Sequence, residues 1–239
     1  MWTTGEGTPR ASKHQGRKSQ GRLLCMALAF QQCDVFFPLK LYYVHDPMCS
    51  WCWAFRPVCT AIRAQIPSAI TPQRVLGGLA PDTREPMPEA MRTYIQDTWR
   101  RIERAVPGTA FNFEFWSRCR PRRSTYPACR AVIAAIAQSP ELEEPMIEAI
   151  QLAYYLEAQN PSDDETLIAL GDAIGLDRER FALALNDPST QAKLLRQIEF
   201  SRTLGARGFP SLILDDHRGY RPINFDYNDP TVAHAQLGL

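Results

Sequence analysis

The stretch that decides the fold is Leu41-Tyr42-Tyr43-Val44-His45-Asp46-Pro47-Met48-Cys49-Ser50-Trp51-Cys52. Its aromatic and β-branched beginning, residues 41–45, predicts a buried strand, and the turn signal Asp46-Pro47 ends that strand. A helix is predicted to follow over about residues 49–66, with a kink or a break at Pro57. A Cys-x-x-Cys pair therefore stands where a strand gives way to a helix.

The two cysteines of this pair, Cys49 and Cys52, are placed for thiol–disulfide exchange. At the start of a helix, free backbone N–H groups and the helix dipole favour the thiolate form, which makes Cys49 the predicted nucleophile. Cys52 lies one turn further on and is more sheltered, so we expect it to resolve the mixed disulfide that Cys49 forms with a substrate. Run backwards, the same steps oxidise a dithiol.

Half of a zinc site and two ordinary buried thiols are the other interpretations of this pair. A structural zinc site needs four ligands, usually a second Cys-x-x-Cys or a pair of histidines. Cys119 and Cys129 are too far apart in the sequence for a second knuckle, and the histidines are scattered along the chain. We therefore expect no metal and no bound cofactor. Cys129 is a weaker candidate for a second reactive thiol, because burial is the default for such a residue.

The remainder of the chain predicts an α/β fold that contains a long helical segment. A short strand is expected at residues 73–76, while residues 85–204 carry helical periodicities and little strand signal. A further strand is predicted to begin at Phe209-Pro210, because the start of a strand tolerates a proline, which has no N–H to donate. The predicted plan is a first α/β half over residues 39–84, a mainly helical insertion, and a second half over residues 205–239.

Capping signals mark several helix ends inside the predicted insertion. Ser162 and Glu165 have the spacing of a capping box. Asp177 is suited to cap a short helix, and Gly175 and Gly205 are suited to end helices. The insertion is therefore predicted to be a set of short amphipathic helices, which we interpret as a lid or subdomain.

The first 38 residues differ in composition from the rest. Gly, Ser, Thr, Gln and basic residues precede the short apolar run Leu23–Phe30. That run falls at the lower limit for the apolar core of a secretory signal, and its polar leader is long. A disordered extension or a mis-assigned start, with Met26 as the candidate true start, is the favoured interpretation. Export by a weak N-terminal signal stays open.

Charge and cysteine count limit the partners. A formal net charge of +1 gives no field that would attract nucleic acid, and no stretch reaches the roughly 20 apolar residues that cross a bilayer. Seven cysteines is an odd number without the dense pairing of a secreted scaffold. We expect a soluble, cytoplasmic protein whose partners are protein or small-molecule thiols and disulfides, with no nucleic acid and no membrane. The oligomeric state is left open.

The segment Tyr42–Phe55 resembles the opening of the DsbA-like protein disulfide isomerases, particularly the branch related to FrnE and to the kappa-class glutathione transferases. Gly208-Phe209-Pro210-Ser211 is similar to that family's cis-proline loop. The resemblance spans residues 39–239 and implies a thioredoxin-like fold with an inserted all-helical subdomain. It also implies that Pro210 is cis and packs against the cysteine pair, with Phe209 presenting its backbone to a substrate.

Two departures from that resemblance bear on function. Trp51 stands where the prototypical periplasmic oxidant has a histidine, which puts a strongly oxidising potential in doubt. Kappa-class transferases generally use a lone serine at the nucleophile position, whereas this chain keeps both cysteines, which favours disulfide exchange. The alternative is a glutathione-dependent transferase or isomerase of small electrophiles, and glutathione is a candidate co-substrate. A third interpretation is a chaperone-like binder whose cysteines only lock its shape.

Residues around the pair have competing interpretations. Trp51, between the cysteines, is expected to be exposed and to contact substrate, whereas Trp53 and Phe55 are assigned to the core. His45 and Asp46 are candidates for shuttling protons to the second cysteine. Their favoured roles are structural: a buried strand end for the histidine, and a helix cap or turn for the aspartate.

Overall fold

The computed structural model describes residues 39–238, so the expectations for residues 1–38 lie outside it. The described strands are β1 (Leu39–His45), β2 (Ile70–Leu76), β3 (Ser211–Asp215) and β4 (Tyr220–Ile223). The helices are α1 (Ser50–Ala64), α2 (Glu89–Ala105), α3 (Phe115–Arg118), α4 (Tyr126–Gln138), α5 (Glu143–Tyr155), α6 (Asp164–Ala173), α7 (Arg178–Leu185), α8 (Pro188–Thr203) and α9 (Thr231–Leu237). A 3-10 turn at Pro140–Leu142 precedes α5.

The four strands form one mixed sheet in the order β2-β1-β3-β4. β1 pairs in parallel with β2 and antiparallel with β3, which in turn pairs antiparallel with β4. β2 begins at Ile70, earlier than the predicted residue 73, and contains Pro72. An edge strand tolerates a proline because one of its sides needs no N–H donors. The α/β class predicted from the sequence is confirmed.

Helix α1 runs without a break through Pro57, so a break at that residue is not found. Proline removes one backbone donor from a helix and crowds the preceding turn, but Pro57 is exposed and does not belong to the buried face. That face buries Phe55, Val58 and Ile62 in a cluster that also holds Leu41 of β1. Burial of this apolar face outweighs the lost hydrogen bond, and it fixes α1 on the sheet with its N-terminus at the end of β1.

Helices α2 to α8 lie between β2 and β3 in the chain and have their own aromatic core. At its centre is Trp99 of α2, which is fully buried. The indole ring contacts six other aromatic rings, those of Phe111, Phe113, Phe115, Trp116, Tyr154 and Tyr155. The long helical segment predicted inside the α/β fold is therefore packed around its own buried residues.

Helix ends in this segment follow the predicted signals at three of four positions. Gly175, just beyond α6, has φ +86°, and Gly205, just beyond α8, has φ +80°. Both angles are in the left-handed region that glycine adopts without strain. Asp177 caps α7 by accepting a hydrogen bond from the backbone N–H of Arg180 at 2.9 Å. These three predictions are confirmed.

The capping box predicted from Ser162 and Glu165 is wrong. Asp163 is the N-cap of α6 and makes no side-chain cap hydrogen bond. The hydroxyl of Ser162 instead donates to the backbone carbonyl of Ser124 at 2.6 Å. The sequence pattern assigned the Ser162 hydroxyl to the start of α6, but a carbonyl distant in the sequence accepts its hydrogen bond instead.

We expect truncation of the central tryptophan to destabilise the protein strongly. The Trp99→Ala variant should lose about 3 to 5 kcal/mol of the free energy of unfolding, since it leaves a cavity among six aromatic rings. Tyr94→Ala is the matched control on the same helix, because that side chain is 61% exposed. Urea unfolding of both variants measures the difference, and equal losses would contradict the assignment of Trp99 to the core.

Candidate active site

Cys49 and Cys52 lie at the junction of β1 and α1. Cys49 is the N-cap residue of α1, and its carbonyl accepts the N–H of Trp53 at 3.0 Å. Cys49 is 6% exposed and Cys52 is 1% exposed. Both thiols are free, as are those of the other cysteines in the described part of the chain. The first sulfur therefore stands at the amino end of the helix, with the second beneath the surface.

The loop before β3 brings Phe209 and Pro210 to this pair from 160 residues away in the sequence. The peptide bond between Phe209 and Pro210 is cis, and Pro210 is buried. The Cys49 thiol contacts the carbonyl oxygen of Phe209 at 3.5 Å. The Phe209 ring occupies the space above Gly77, where a Cβ atom would lie 2.0 Å from the ring. The loop is thus tied both to the nucleophile position and to the end of β2.

The carboxylate of Asp46, which is fully buried, accepts hydrogen bonds from four donors on three segments of the chain. The donors are Met48 N–H at 2.8 Å, Leu79 N–H at 2.7 Å, Thr125 Oγ1 at 2.7 Å and Cys129 Sγ at 3.5 Å. Burial raises the pKa of Asp46, and the hydrogen bonds from Leu79 and Thr125 are the largest effects that oppose the rise. Both carboxylate oxygens are engaged, so the contacts favour a structural role over proton transfer.

His45, the last residue of β1, is 1% exposed, and its ring stacks on that of Tyr43 with centroids 4.9 Å apart. Its Nε2 atom has no hydrogen-bond partner in the protein. Desolvation first, and the nearby Arg74 cation second, lower the pKa of His45 to about 3. The imidazole is therefore neutral at physiological pH.

The thiol of Cys52 is in an environment that opposes ionisation. Burial is the largest cause that raises its pKa well above the ordinary value, and the neighbouring Cys49 adds to the rise. Tyr43 faces this sulfur, and burial followed by the proximity of Cys52 raises the pKa of the Tyr43 hydroxyl. Cys52 is thus held as a neutral thiol that needs a proton acceptor before it can attack a disulfide.

The two residues between the cysteines are each held by contacts from elsewhere in the fold. Ser50 Oγ accepts a hydrogen bond from the indole N–H of Trp99 at 2.9 Å. Trp51 is half-buried, with its ring 4.8 Å from that of Tyr227 and with the Arg101 guanidinium 5.7 Å from its centroid. Trp51 therefore presents one part of its ring at the surface rather than projecting freely.

The remaining residues near the pair lie in the core or against it. Phe55 is fully buried, as expected. Trp53 is half-buried and stacks on Tyr155 with centroids 5.5 Å apart. Cys59 and Cys129 are both buried, and burial raises the pKa of Cys59 to about 11 and that of Cys129 well above its ordinary value. Neither thiol is placed as an exposed nucleophile.

Several residues that shape the site were not singled out by sequence reasoning. Thr125 and Trp99 belong to the helical segment, yet they hold the residues on either side of Cys49. Gln151 of α5 is 3% exposed and, like His45, has a buried atom without a partner. Local spacing carried no signal for these contacts. Across residues 39–238 no three His, Cys, Asp or Glu side chains gather as they would around a metal ion.

A family model for the DSBA-like thioredoxin domain matches residues 40–227, which is most of the chain. The protein belongs to this family. The match includes the cysteine pair, the helical segment and the Phe209–Pro210 loop, so the thioredoxin-like fold with an inserted helical segment is confirmed.

Solved structures of DsbA-like and DsbM-like proteins share this fold. A candidate protein disulfide isomerase from Nitrosomonas europaea is 28% identical, with a TM-score of 0.72 over 84% of this chain and 96% of that chain. The cytosolic disulfide reductase DsbM from Pseudomonas aeruginosa is 25% identical, with a TM-score of 0.67 over 83% of this chain and 97% of that chain. The family and these neighbours imply thiol–disulfide oxidoreductase activity.

Curated relatives carry a different kind of name. The ClpXP adapter protein SpxH of Halalkalibacterium halodurans is 26% identical over 163 residues, which is 66% of this chain and 52% of the relative. SpxH of Bacillus subtilis is 20% identical and is covered to 58% of its length. The chain thus spans little more than half the length of these two curated relatives.

The buried imidazole makes stability depend on pH in a defined direction. Between pH 6.5 and about 3 the unfolded chain binds a proton at His45 that the folded chain does not. The stability contributed by the neutral ring is therefore full above pH 6.5 and is lost as the pH falls toward 3. One such site gives a slope of about 1.4 kcal/mol per pH unit.

The His45→Phe variant, which keeps an aromatic ring beside Tyr43, removes this dependence. We expect the free energy of unfolding of the wild type, relative to the variant, to fall by about 2 to 3 kcal/mol between about pH 7.5 and 4.5. Urea unfolding at several pH values measures it. A difference that stays constant over this range would mean that His45 is not held neutral by the fold.

Proposed function

We propose that the protein catalyses thiol–disulfide exchange through a Cys-Ser-Trp-Cys centre in which Cys49 is the nucleophile and Cys52 the resolving thiol. The observation that carries the proposal is the position of Cys49 at the amino end of α1, 3.5 Å from the Phe209 carbonyl, with Cys52 one turn further inside. The first sulfur stands at the helix terminus, where a substrate can reach it, and burial raises the pKa of Cys52 so that it stays a thiol until it is needed.

In the proposed mechanism the Cys49 thiolate attacks one sulfur of a substrate disulfide. A mixed disulfide forms between Cys49 and the substrate, and the other substrate sulfur leaves as a thiolate. Cys52 then loses its proton and attacks the Cys49 sulfur, which releases the second substrate sulfur and leaves a Cys49–Cys52 disulfide. A dithiol substrate reverses both steps, so the reduction potential sets the direction in which the centre works.

Substrate binding is proposed beside the loop that carries Phe209 and the buried Pro210, next to the exposed part of Trp51. The Phe209 carbonyl faces the Cys49 sulfur, so an extended substrate is expected to run beside this loop. The exposed part of Trp51, backed by Tyr227 and Arg101, offers an aromatic edge next to the mixed disulfide. These features suit either a peptide or a small thiol.

Protein disulfides and small-molecule disulfides are both proposed as substrates, with glutathione as a candidate thiol co-substrate. The Pseudomonas relative is described as a disulfide reductase and the Nitrosomonas relative as a candidate isomerase, so exchange in either direction fits the family. A second structure of the Pseudomonas protein contains glutathione. No bound cofactor is required by the proposed chemistry, because two thiols carry both electrons.

Two other functions compete with this proposal. A transferase that acts on small electrophiles needs an activated glutathione but no resolving thiol. A transferase function would therefore leave the buried Cys52 without a role. An adapter function, as named for the curated SpxH relatives, needs a binding surface and no reactive pair. We therefore favour exchange.

We propose a cytoplasmic location for the protein. The free thiols of the described residues suit a reducing compartment, and the Pseudomonas relative is described as cytosolic. None of the helices in residues 39–238 has the length and apolar composition of a bilayer-spanning segment.

The division of labour between the cysteines can be tested by replacing each one with serine. With insulin as substrate and dithiothreitol as reductant, the wild-type protein should accelerate reduction, and Cys49→Ser should fall to the uncatalysed rate. In a separate reaction without dithiothreitol, reduced Cys52→Ser should trap a covalent complex with insulin, because the mixed disulfide then has no thiol to resolve it. Turbidity and non-reducing gels measure these outcomes.

Cys119→Ser is the control, since Cys119 lies in the helical segment, where its thiol contacts the Ala158 carbonyl at 3.1 Å. It should retain most of the wild-type rate. A Cys49→Ser protein that still accelerates insulin reduction would overturn the proposed role of this centre. Aggregation suppression that is equal in all these variants, without catalysis in any, would favour a binding protein.

A further inference from the structure

A cavity of about 20 Å³ lies next to Cys52 and is lined neither by Cys49 nor by the Phe209 loop. Its lining includes the resolving thiol of Cys52 together with His45 of β1 and Gln151 of α5. The Nε2 atom of His45 and the Oε1 atom of Gln151 are both buried without a hydrogen-bond partner in the protein. Two unpartnered polar atoms and a thiol that must lose a proton therefore line one small space.

This cavity has the size and polarity of a single water site. A buried water needs roughly 10 to 15 Å³ of accessible volume and two to four polar partners. A water in this cavity could bond to the unpartnered amide oxygen of Gln151, to the neutral imidazole of His45 and to the Cys52 thiol. A buried polar atom without a partner is costly, so a water that bonds to both atoms is favourable.

Asp46 is a buried carboxylic acid near Cys52, and its contacts make it a poor proton acceptor. Its two carboxylate oxygens already accept hydrogen bonds from two backbone N–H groups, a threonine hydroxyl and the Cys129 thiol. Protonating it would break at least one of these bonds. A water in the cavity beside Cys52 could accept the proton without the loss of an Asp46 hydrogen bond.

We infer that this cavity is a water site through which the Cys52 proton leaves, and that His45 and Gln151 are the positioning residues that hold the water. The inference rests on the proposed role of Cys52 as the resolving thiol. It adds to the site two residues that do not touch the substrate, one of which comes from the helical insertion.

The proton and the electron pair of the Cys52 S–H bond go to different acceptors in this step. The Cys52 Sγ–H proton passes to the water while the water gives up a proton toward solvent, and the electron pair left on Cys52 attacks the Cys49 sulfur. The bond between Cys49 and the substrate sulfur breaks, and the substrate sulfur leaves with that electron pair. No other oxidant or reductant takes part.

The way out to solvent runs past charged side chains at the rim of the cavity. Thr60 and Arg63 there are exposed, and the Glu144 carboxylate pairs with Arg63 at 2.8 Å. The titratable or charged groups that line the cavity with His45 come from β1, β2, α1 and α5, and they are Tyr43, Arg74, Cys52, Arg56, Cys59, Arg63 and Glu144. The lining of the cavity thus includes both the buried Cys52 and side chains at the surface.

The test separates the two thiol steps by rapid mixing of the reduced protein with the aromatic disulfide DTNB. The first release of thionitrobenzoate reports attack by Cys49, and the second, absent from Cys52→Ser, reports attack by Cys52. Gln151→Met keeps the side-chain volume and His45→Phe keeps the stacked ring, but each removes one polar partner of the water. We expect the second release to slow at least tenfold at neutral pH in each variant, with the first unchanged.

The deficit should shrink as the pH rises, since hydroxide then removes the thiol proton without the water; a merely structural defect would persist at all pH values. His234→Phe is the matched control, because His234 of α9 is also buried with an unpartnered Nε2 atom but does not line this cavity. The inference would be overturned if Gln151→Met and His45→Phe both showed the wild-type rate of the second release, or if their loss of rate did not depend on pH. A wild-type protein without any second release would instead overturn the proposed function. The two variants lie on different elements, so a folding failure of one leaves the other as the test.

Discussion

The buried carboxylate of Asp46 is the interaction on which the site depends. Its four hydrogen bonds join the turn that carries Cys49, the chain that leaves β2 at Leu79, and the start of α4 at Thr125 and Cys129. Burial of an acidic group is costly unless each oxygen finds donors, and here the donors come from both the α/β part and the helical part of the fold. The position of the nucleophile is therefore set by the docking of the helical segment as much as by the strand and helix that flank it.

The sequence was sufficient for the parts of this arrangement that local chemistry determines. The strand ending in His45, the helix opening at the cysteine pair and the glycine that ends α8 each follow from propensities, turn signals or caps within a few residues. The resemblance to DsbA-like proteins added the pairing of Cys49 with the Phe209–Pro210 loop. No local pattern could have done so, because 160 residues separate the two contacting residues.

What the sequence could not supply is mostly contact between distant segments. Ser162 matched a capping pattern but bonds to a carbonyl 38 residues earlier, and the hydrogen bond from Trp99 to Ser50 has no signature in either local sequence. Pro57 shows the opposite error: a strong local signal for a break was outweighed by the buried face of α1. In each case tertiary packing decided between options that local propensities left open or ranked differently.

A redox titration of the Cys49–Cys52 pair in glutathione buffers tests the central claim most directly, namely that these two residues form one reversible redox centre. The account predicts a single two-electron transition between reduced and disulfide forms, with a midpoint within the range of about −270 to −120 mV known for such centres, and its loss in a Cys52→Ser protein. Two cysteines that react independently, with no disulfide between them at any potential, would contradict it.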